Sequence, residues 1–366
     1  MSAAGRDAEA VLGYGVTMRV VPAMFALLTA CNPDVRGPDA GDTDAVQDAC
    51  RETPLPSGGP RIVAVSHPYS ASGAQADAWE LFSLDGDVLT PTGTTMSLGR
   101  GYNGAVAWAP DGSLAVTVHD DGTLGVFTAD GAVVEAAWDG GFYASDATFD
   151  ATGERLFVVD GNWVNNGGGV YEVAIDCDSG VPSLVGKVVD SKLGSHLFGD
   201  VLVADSAAAI LDVDAGELGA AVPLFDYADA IVGGASRHED TLYVGDYSEF
   251  SGVENRVAVA TLGAAVTKVG EVVVLDPYAI AAVEGGAVVS SGYGNEIVGL
   301  TASGIADRLD SELPGAVTVG PDGLVLVAEL SSIRLVRFDG ATLEDVDTYV
   351  LGDGLDRMPG SIGVQP

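Results

Sequence analysis

Lysine occurs only three times in the 366 residues, at Lys187, Lys192 and Lys268, and Lys and Arg together number 16 against 53 acidic residues. A net charge of −37 leaves no basic footprint for phosphates, so nucleic acid is a poor partner. Adsorption to anionic lipid is disfavoured for the same reason. Cations and basic surfaces remain as partners, and so strong an acidity suits solubility in a salty medium, where screening tolerates self-repulsion. Cysteine is scarce too: Cys31, Cys50 and Cys177 contain no C-x-x-C pair, which argues against a zinc ribbon or a thioredoxin-type site. No G-x-S-x-G elbow, H-E-x-x-H helix or P-loop is present, and no G-x-G-x-x-G follows a strand. Gly167-Gly168-Gly169 falls in a long loop and reads as flexibility. No apolar run is long enough to span a bilayer.

The longest such run is at the N-terminus. Met18-Arg19 precedes Val20 to Leu28, broken by Pro22, and then Thr29, Ala30 and Cys31. A basic residue, a short apolar stretch and small residues mark a signal peptide over residues 1–30. Translation from Met18 gives a short leader, whereas a start at Met1 places Asp7 and Glu9 inside it. Leu28-Thr29-Ala30-Cys31 resembles the lipobox of bacterial lipoproteins. That resemblance implies diacylation of Cys31 as the mature N-terminus. Asn32 behind it resembles the sorting pattern of outer-membrane lipoproteins in Gram-negative bacteria. Residues 31–60 are rich in Asp, Gly and Pro without apolar periodicity, and read as a solvated acidic tether. Asp39, Asp42, Asp44 and Asp48 there lack the EF-hand pattern.

From Arg61 to Pro366 the chain is organised around one unit, clearest at Leu313 to Phe338. Apolar runs Ala316–Val319, Leu324–Ala328 and Ile333–Phe338 are separated by turn residues such as Pro321-Asp322-Gly323. Three short antiparallel strands cannot bury both faces alone, so copies must stack. First strands are expected at 104–109, 145–149, 195–198, 229–232, 278–283, 315–319 and 360–364. Second strands are expected at 62–65, 114–118, 156–159, 201–204, 242–245, 287–290 and 324–328. Third strands are expected at 78–84, 124–127, 170–175, 209–213, 257–261, 296–300 and 333–338. The spacing of roughly 40 to 50 residues is that of propeller blades. The first copy lacks a first strand, while the chain ends in a lone one, Met358-Pro359-Gly360-Ser361-Ile362-Gly363-Val364, echoing Leu313-Pro314-Gly315. The C-terminal strand is therefore expected to complete the first blade and remove open edges. Leu313 to Phe338 looks like an NHL-type repeat, and residues 61–366 resemble seven-bladed β-propellers of the NHL, YncE and lactonase kind. The resemblance implies an all-β propeller and leaves function open, since propellers host enzymes, binders and scaffolds alike.

Three sets of residues are candidates for function. Long connections from a second to a third strand carry Tyr69, Trp163, Asn165, Asn166, Tyr247, Glu249 and Phe250 on one face. Aromatics and amides there suit an envelope protein, a peptide or a glycan. Aligning the ends of the second strands gives His67, His119, Asp160, Asp205, Asp246, Ser291 and Glu329. All but the serine can ligate a metal: the carboxylates favour calcium or magnesium, and the histidines admit zinc or manganese. The ring is too wide for all to share one ion, so neighbours such as Asp160, Asp205 and Asp246 form the largest plausible set. Turn chemistry alone also explains polar residues at strand ends. Finally, with Cys31 lipidated, Cys50 and Cys177 form an even pair for a disulfide in an oxidising compartment, both on the face opposite the long loops. His196 is expected in a first strand near the channel as a hydrogen-bonded histidine, and His238 in a solvated turn. The leading expectation is a lipid-anchored envelope propeller acting as a binding module. The alternatives are a lactonase-like or metal-assisted hydrolase at the propeller mouth and a scaffold in an envelope assembly.

Overall fold

The computed structural model describes residues 59–69, 75–101, 106–119, 121–138, 144–150, 153, 155–161, 168–175, 181–191, 194–204, 206–226, 232–246, 254–351 and 359–366. The lipobox, all three cysteines, Asp205 and the loop residues Trp163, Asn165, Asn166, Tyr247, Glu249 and Phe250 lie outside them.

Seven antiparallel sheets follow one another along the chain, making a seven-bladed β-propeller. The innermost strands are Ile362–Val364 in blade 1, then Val106–Trp108, Ala144–Phe149, Gly194–Phe198, Val232–His238, Pro277–Val283 and Val317–Val319 in blades 2 to 7. Second strands are Arg61–Tyr69, Leu114–Val118, Leu156–Asp160, Val201–Ala204, Thr241–Asp246, Gly286–Ser291 and Leu324–Ala328. Third strands are Gln75–Asp85, Leu124–Thr128, Gly169–Ile175, Ala207–Asp212, Arg256–Thr261, Glu296–Thr301 and Ser332–Phe338. Six blades also have a fourth, outer strand that the apolar pattern did not reveal, such as Pro182–Val189 or Leu343–Val350, and in blade 4 two short strands, Glu217–Leu218 and Val222–Pro223, take that place. The described inner strand of blade 5 meets the expected 229–232 at Val232 and, as a correction, runs on through His238, over residues read as a turn; residues 229–231 lie outside the described residues.

The second strands are apolar without alternation because each of their faces packs on a different neighbour. In blade 1, Val63 and Val65 join Leu324, Leu326 and Leu335 of blade 7. Ala64, between them, points the other way, into a cluster with Trp108 and Phe127 of blade 2. This is the two-residue period of a strand with both faces buried. Seven such clusters occur among the described residues, one at each blade-to-blade interface, and the blade 7–blade 1 cluster closes the circle.

The chain terminus makes that closure. Ile362, Gly363 and Val364 pair with Val65, Ala64 and Val63. Gln365 fastens the end: its backbone N–H donates to the Ile62 carbonyl at 2.8 Å, its side-chain oxygen accepts from the Ile62 N–H at 3.0 Å, and its amide donates to Gly112 of blade 2 at 2.7 Å. The fully buried Ser66 hydroxyl donates to the Gly101 carbonyl at 2.6 Å and accepts from the Ser361 N–H at 2.7 Å.

Candidate functional site

Because the inner strands start, and the second strands end, at the same end of every blade, that end gathers the second-to-third connections and the links between blades. The described strand-end residues of the sequence reading sit there, while Asp205 lies outside the described residues. The structure buries every described one of them: His67, His119, Asp160, Asp246, Ser291 and Glu329 are each at most 7% exposed. They are therefore not solvated turn residues. His67 Nε2 stands 3.5 Å from the Glu80 carboxylate. The His119 ring lies between the hydroxyls of Thr117 and Thr123, each 3.0 Å from a ring nitrogen. A Cβ at Gly99 would lie 2.3 Å from that ring, so only glycine permits the approach. The Glu329 carboxylate accepts from the hydroxyls of Ser311 and Ser332, each at 2.6 Å, and lies 3.5 Å from the Arg334 guanidinium. Among the described residues no group of three His, Cys, Asp or Glu side chains is placed to hold a metal ion. His67, His119, Asp160, Asp246 and Glu329 are thus distributed around the ring, one per blade, rather than gathered at one point.

His196 is on the inner strand of blade 4, as expected, with Nε2 3.1 Å from the Gly233 carbonyl of blade 5 and Nδ1 3.8 Å from the Asp146 carboxylate of blade 3. Burial pushes the Asp146 carboxyl above the usual carboxylate range, against the pull of His196 and of two backbone N–H groups. These groups tie three inner strands together. His238 ends the inner strand of blade 5 and lines a groove on the opposite face.

A different set of residues forms a recess. Between blades 6 and 7, on the face of the second-to-third connections, a cleft of about 120 Å³ is lined by Asp276, Tyr278, Tyr293, Leu313, Pro314 and Glu329, with Gly292, Gly315, Ala328 and Pro359 completing it. Three chain segments build it. Asp276-Pro277-Tyr278 leads into the inner strand of blade 6, and Leu313-Pro314-Gly315 does the same for blade 7. The short turn after Ser291 brings Gly292 and Tyr293 over them. Asp276, Asn295 and Leu313 all hold positive φ, at +48°, +51° and +46°. Non-glycine residues in that region store strain of about 1–3 kcal/mol each, and such strain clusters where geometry serves a ligand.

Asp276 is the chemical centre of the cleft. It is 2% exposed, and its Oδ2 accepts from the Tyr293 N–H at 2.6 Å. Its Oδ1 is buried without a hydrogen-bond partner among the described residues. A Cβ at Gly292 would come within 2.7 Å of Oδ2, so glycine is what lets the turn close over the carboxylate. Burial pushes the Asp276 carboxyl above the usual range, only partly offset by the Tyr293 N–H. Among the described residues no basic side chain lines the cleft. Glu329, by contrast, has its compensation in the two serines and Arg334.

A stability consequence follows. The raised folded-state pKa means that the protonated carboxyl is the one the fold prefers. Its contribution is present below the ordinary value of about 3.9 and is lost as pH rises through the raised value. Asp276→Asn keeps the shape and removes the charge, so it is expected to raise stability near pH 7 by about 1 kcal/mol, or roughly 2–4 °C in Tm. The difference from the native protein should shrink to nothing in acid. Melting curves across pH decide this, and a lower Tm for the variant at neutral pH refutes it.

The chain matches no protein-family model, and no curated protein matches it in sequence. In structure it is similar to the periplasmic gluconolactonase PpgL of Pseudomonas aeruginosa, at 15% identity over 84% of this chain and 99% of that one, with a TM-score of 0.57. It is also similar to the dihydro-heme d1 dehydrogenase NirN, at 14% identity over 86% of this chain and 77% of that one, TM-score 0.54. A third is the β-propeller domain of Cps50 (Swd1) from Myceliophteria thermophila, at 12% identity over 75% and 94%, TM-score 0.54. At such identities the likeness is one of fold alone.

Proposed function

We propose that this protein is an exported, lipid-anchored propeller that works as a binding module, engaging its partner on the face that carries the blade 6–blade 7 cleft. The observation that carries the reading is that cleft with its rim: Tyr293 is 64% exposed and Leu275, beside Asp276, 56% exposed. Large apolar side chains around a recess with a buried polar group are the layout of a recognition hot spot. The leader, the lipobox-like Leu28-Thr29-Ala30-Cys31 and the acidic tether support export and anchoring at the outer membrane. A cytoplasm-free location also suits a Cys50–Cys177 bond. Tyr69 stands at the end of a second strand on the same face, under the Arg100 guanidinium. Trp163, Asn165, Asn166, Tyr247 and Glu249 belong to connections that leave that face, and we include them in the surface.

Two measurements test this. Cys31→Ser is expected to move the protein from the membrane fraction to the soluble one; unchanged fractionation removes the anchor. A photo-reactive phenylalanine analogue at Tyr293 is expected to yield a discrete crosslinked species in intact cells, and one at Val269, exposed on an outer strand of blade 5, is not. Equal labelling at both positions, or none at Tyr293, overturns the binding face. The resemblance in fold to a gluconolactonase keeps hydrolysis as a second reading, which a lactone and ester panel with and without added calcium, zinc and manganese separates.

A further inference from the structure

The chemistry of the cleft identifies what it receives, on the premise that this face is the binding face. Its volume, about 120 Å³, is well below the roughly 300–1,000 Å³ of sites that enclose a whole small molecule. It has room for one side chain. Leu313, Pro314, Ala328 and Pro359 give it apolar walls, and Tyr278 and Tyr293 give it aromatic ones. Its polar end holds Asp276, with Oδ1 buried and lacking a hydrogen-bond partner among the described residues. The second carboxylate in the lining, Glu329, already has its donors, so the charge that lacks a counterpart among the described residues is that of Asp276.

A guest that fits must therefore have an aliphatic stem, to lie against the apolar walls and the tyrosine rings. It must end in a cationic hydrogen-bond donor, to meet Oδ1. A carboxylate guest would be repelled. A neutral donor could bond the carboxylate but would leave its charge uncompensated, so a cationic donor is favoured. Only two amino-acid side chains meet both conditions.

We propose that the cleft between blades 6 and 7 is the anchor pocket for a lysine or arginine side chain presented by a protein partner. A protein partner, rather than a free amine, is favoured by the exposed Leu275 and Tyr293 beside the pocket, which offer it further apolar contact area. Charge agrees: at −37 this chain attracts basic surfaces from a distance and raises their association rate.

The test uses the full chain and the blocked tripeptides Ac-Ala-Lys-Ala-NH₂ and Ac-Ala-Arg-Ala-NH₂, with Ac-Ala-Gln-Ala-NH₂ and n-butylammonium as comparisons. The readout is the backbone amide resonance of Tyr293, whose N–H already contacts Asp276. A basic peptide is expected to shift that resonance and to bind at least about tenfold more tightly than the glutamine peptide and n-butylammonium. Asp276→Asn, which keeps the fold, should lower basic-peptide affinity by about tenfold or more, while Glu329→Gln should lower it less. Equal binding of the glutamine peptide, undiminished binding by Asp276→Asn, or no binding by either basic peptide overturns the proposal. Tighter binding of n-butylammonium than of either peptide overturns the protein partner. Failure here with crosslinking at Tyr293 intact leaves the binding face standing with a different guest; loss of that crosslink removes the face itself.

Discussion

Deleting residues 359–366 is expected to abolish cooperative folding of the propeller. The deletion removes the inner strand of blade 1 and, with Ile362, part of the cluster that joins blade 1 to blade 7. Truncating a buried Leu or Ile to Ala alone costs about 2–5 kcal/mol. The hydrogen bonds of Gln365 and Ser361 go too, leaving Ser66 and the backbone of Ile62 without these partners in the interior, at about 1–3 kcal/mol for each group left unsatisfied. Together these losses rival the entire stability of a typical domain, about 5–15 kcal/mol. The truncated chain should be insoluble, or soluble without a sharp thermal transition. A truncated protein melting within a few degrees of the full chain would show that the ring does not depend on its closure. Ile362→Ala serves as the milder variant, and should melt cooperatively at lower temperature.

Phe127→Ala is expected to destabilise by about 3–5 kcal/mol, among the largest effects open to a single core substitution. Phe127 is fully buried at the interface of blades 1 and 2. Its ring meets Trp108 edge-on at 5.4 Å and lies 6.3 Å from Trp79. Trp79 is itself pinned by its indole N–H, which donates to the Gly99 carbonyl at 2.7 Å. Neither indole can collapse into the space without losing its own packing, so the cavity persists. Chemical denaturation measures the loss, and a change below about 1 kcal/mol would mean that the interface repacks freely.

Much of the architecture was readable from residues 61–366 because the second strands are buried on both faces. Leu114–Val118, Val201–Ala204 and Leu324–Ala328 run as expected from the sequence pattern. The outer strands escaped notice for the opposite reason. Leu343–Val350 packs one edge residue and turns most of the rest to solvent, leaving no apolar run. In blade 5, Ser236-Arg237-His238 reads as a turn by composition, yet pairing with Thr241–Tyr243 holds it in a strand. Polar strand ends were read as turn starters or metal ligands; His67, His119, Asp160, Asp246 and Glu329 prove to be buried, which polarity at a strand end does not reveal.

The cleft was the least legible feature, since length singled out the long loops and the turn at Gly292 is short. A signal was nonetheless present. Asp276-Pro277-Tyr278 stands where the next two blades have Leu313-Pro314-Gly315 and Met358-Pro359-Gly360. A charged and an aromatic residue replacing an apolar residue and a glycine at one repeat position marks the blade that departs from the pattern. The carboxylate there accepts the Tyr293 N–H, yet burial works against its charge.

The central claim is that Asp276 is a buried carboxylate with no cationic partner among the described residues. Residue-specific ¹³C NMR titration of its carboxyl group measures this. The account predicts a midpoint above the ordinary carboxylate value of about 3.9, moving downward when a basic peptide occupies the cleft. A midpoint at or below the ordinary value in the free protein would mean that the charge is already compensated, and would contradict it.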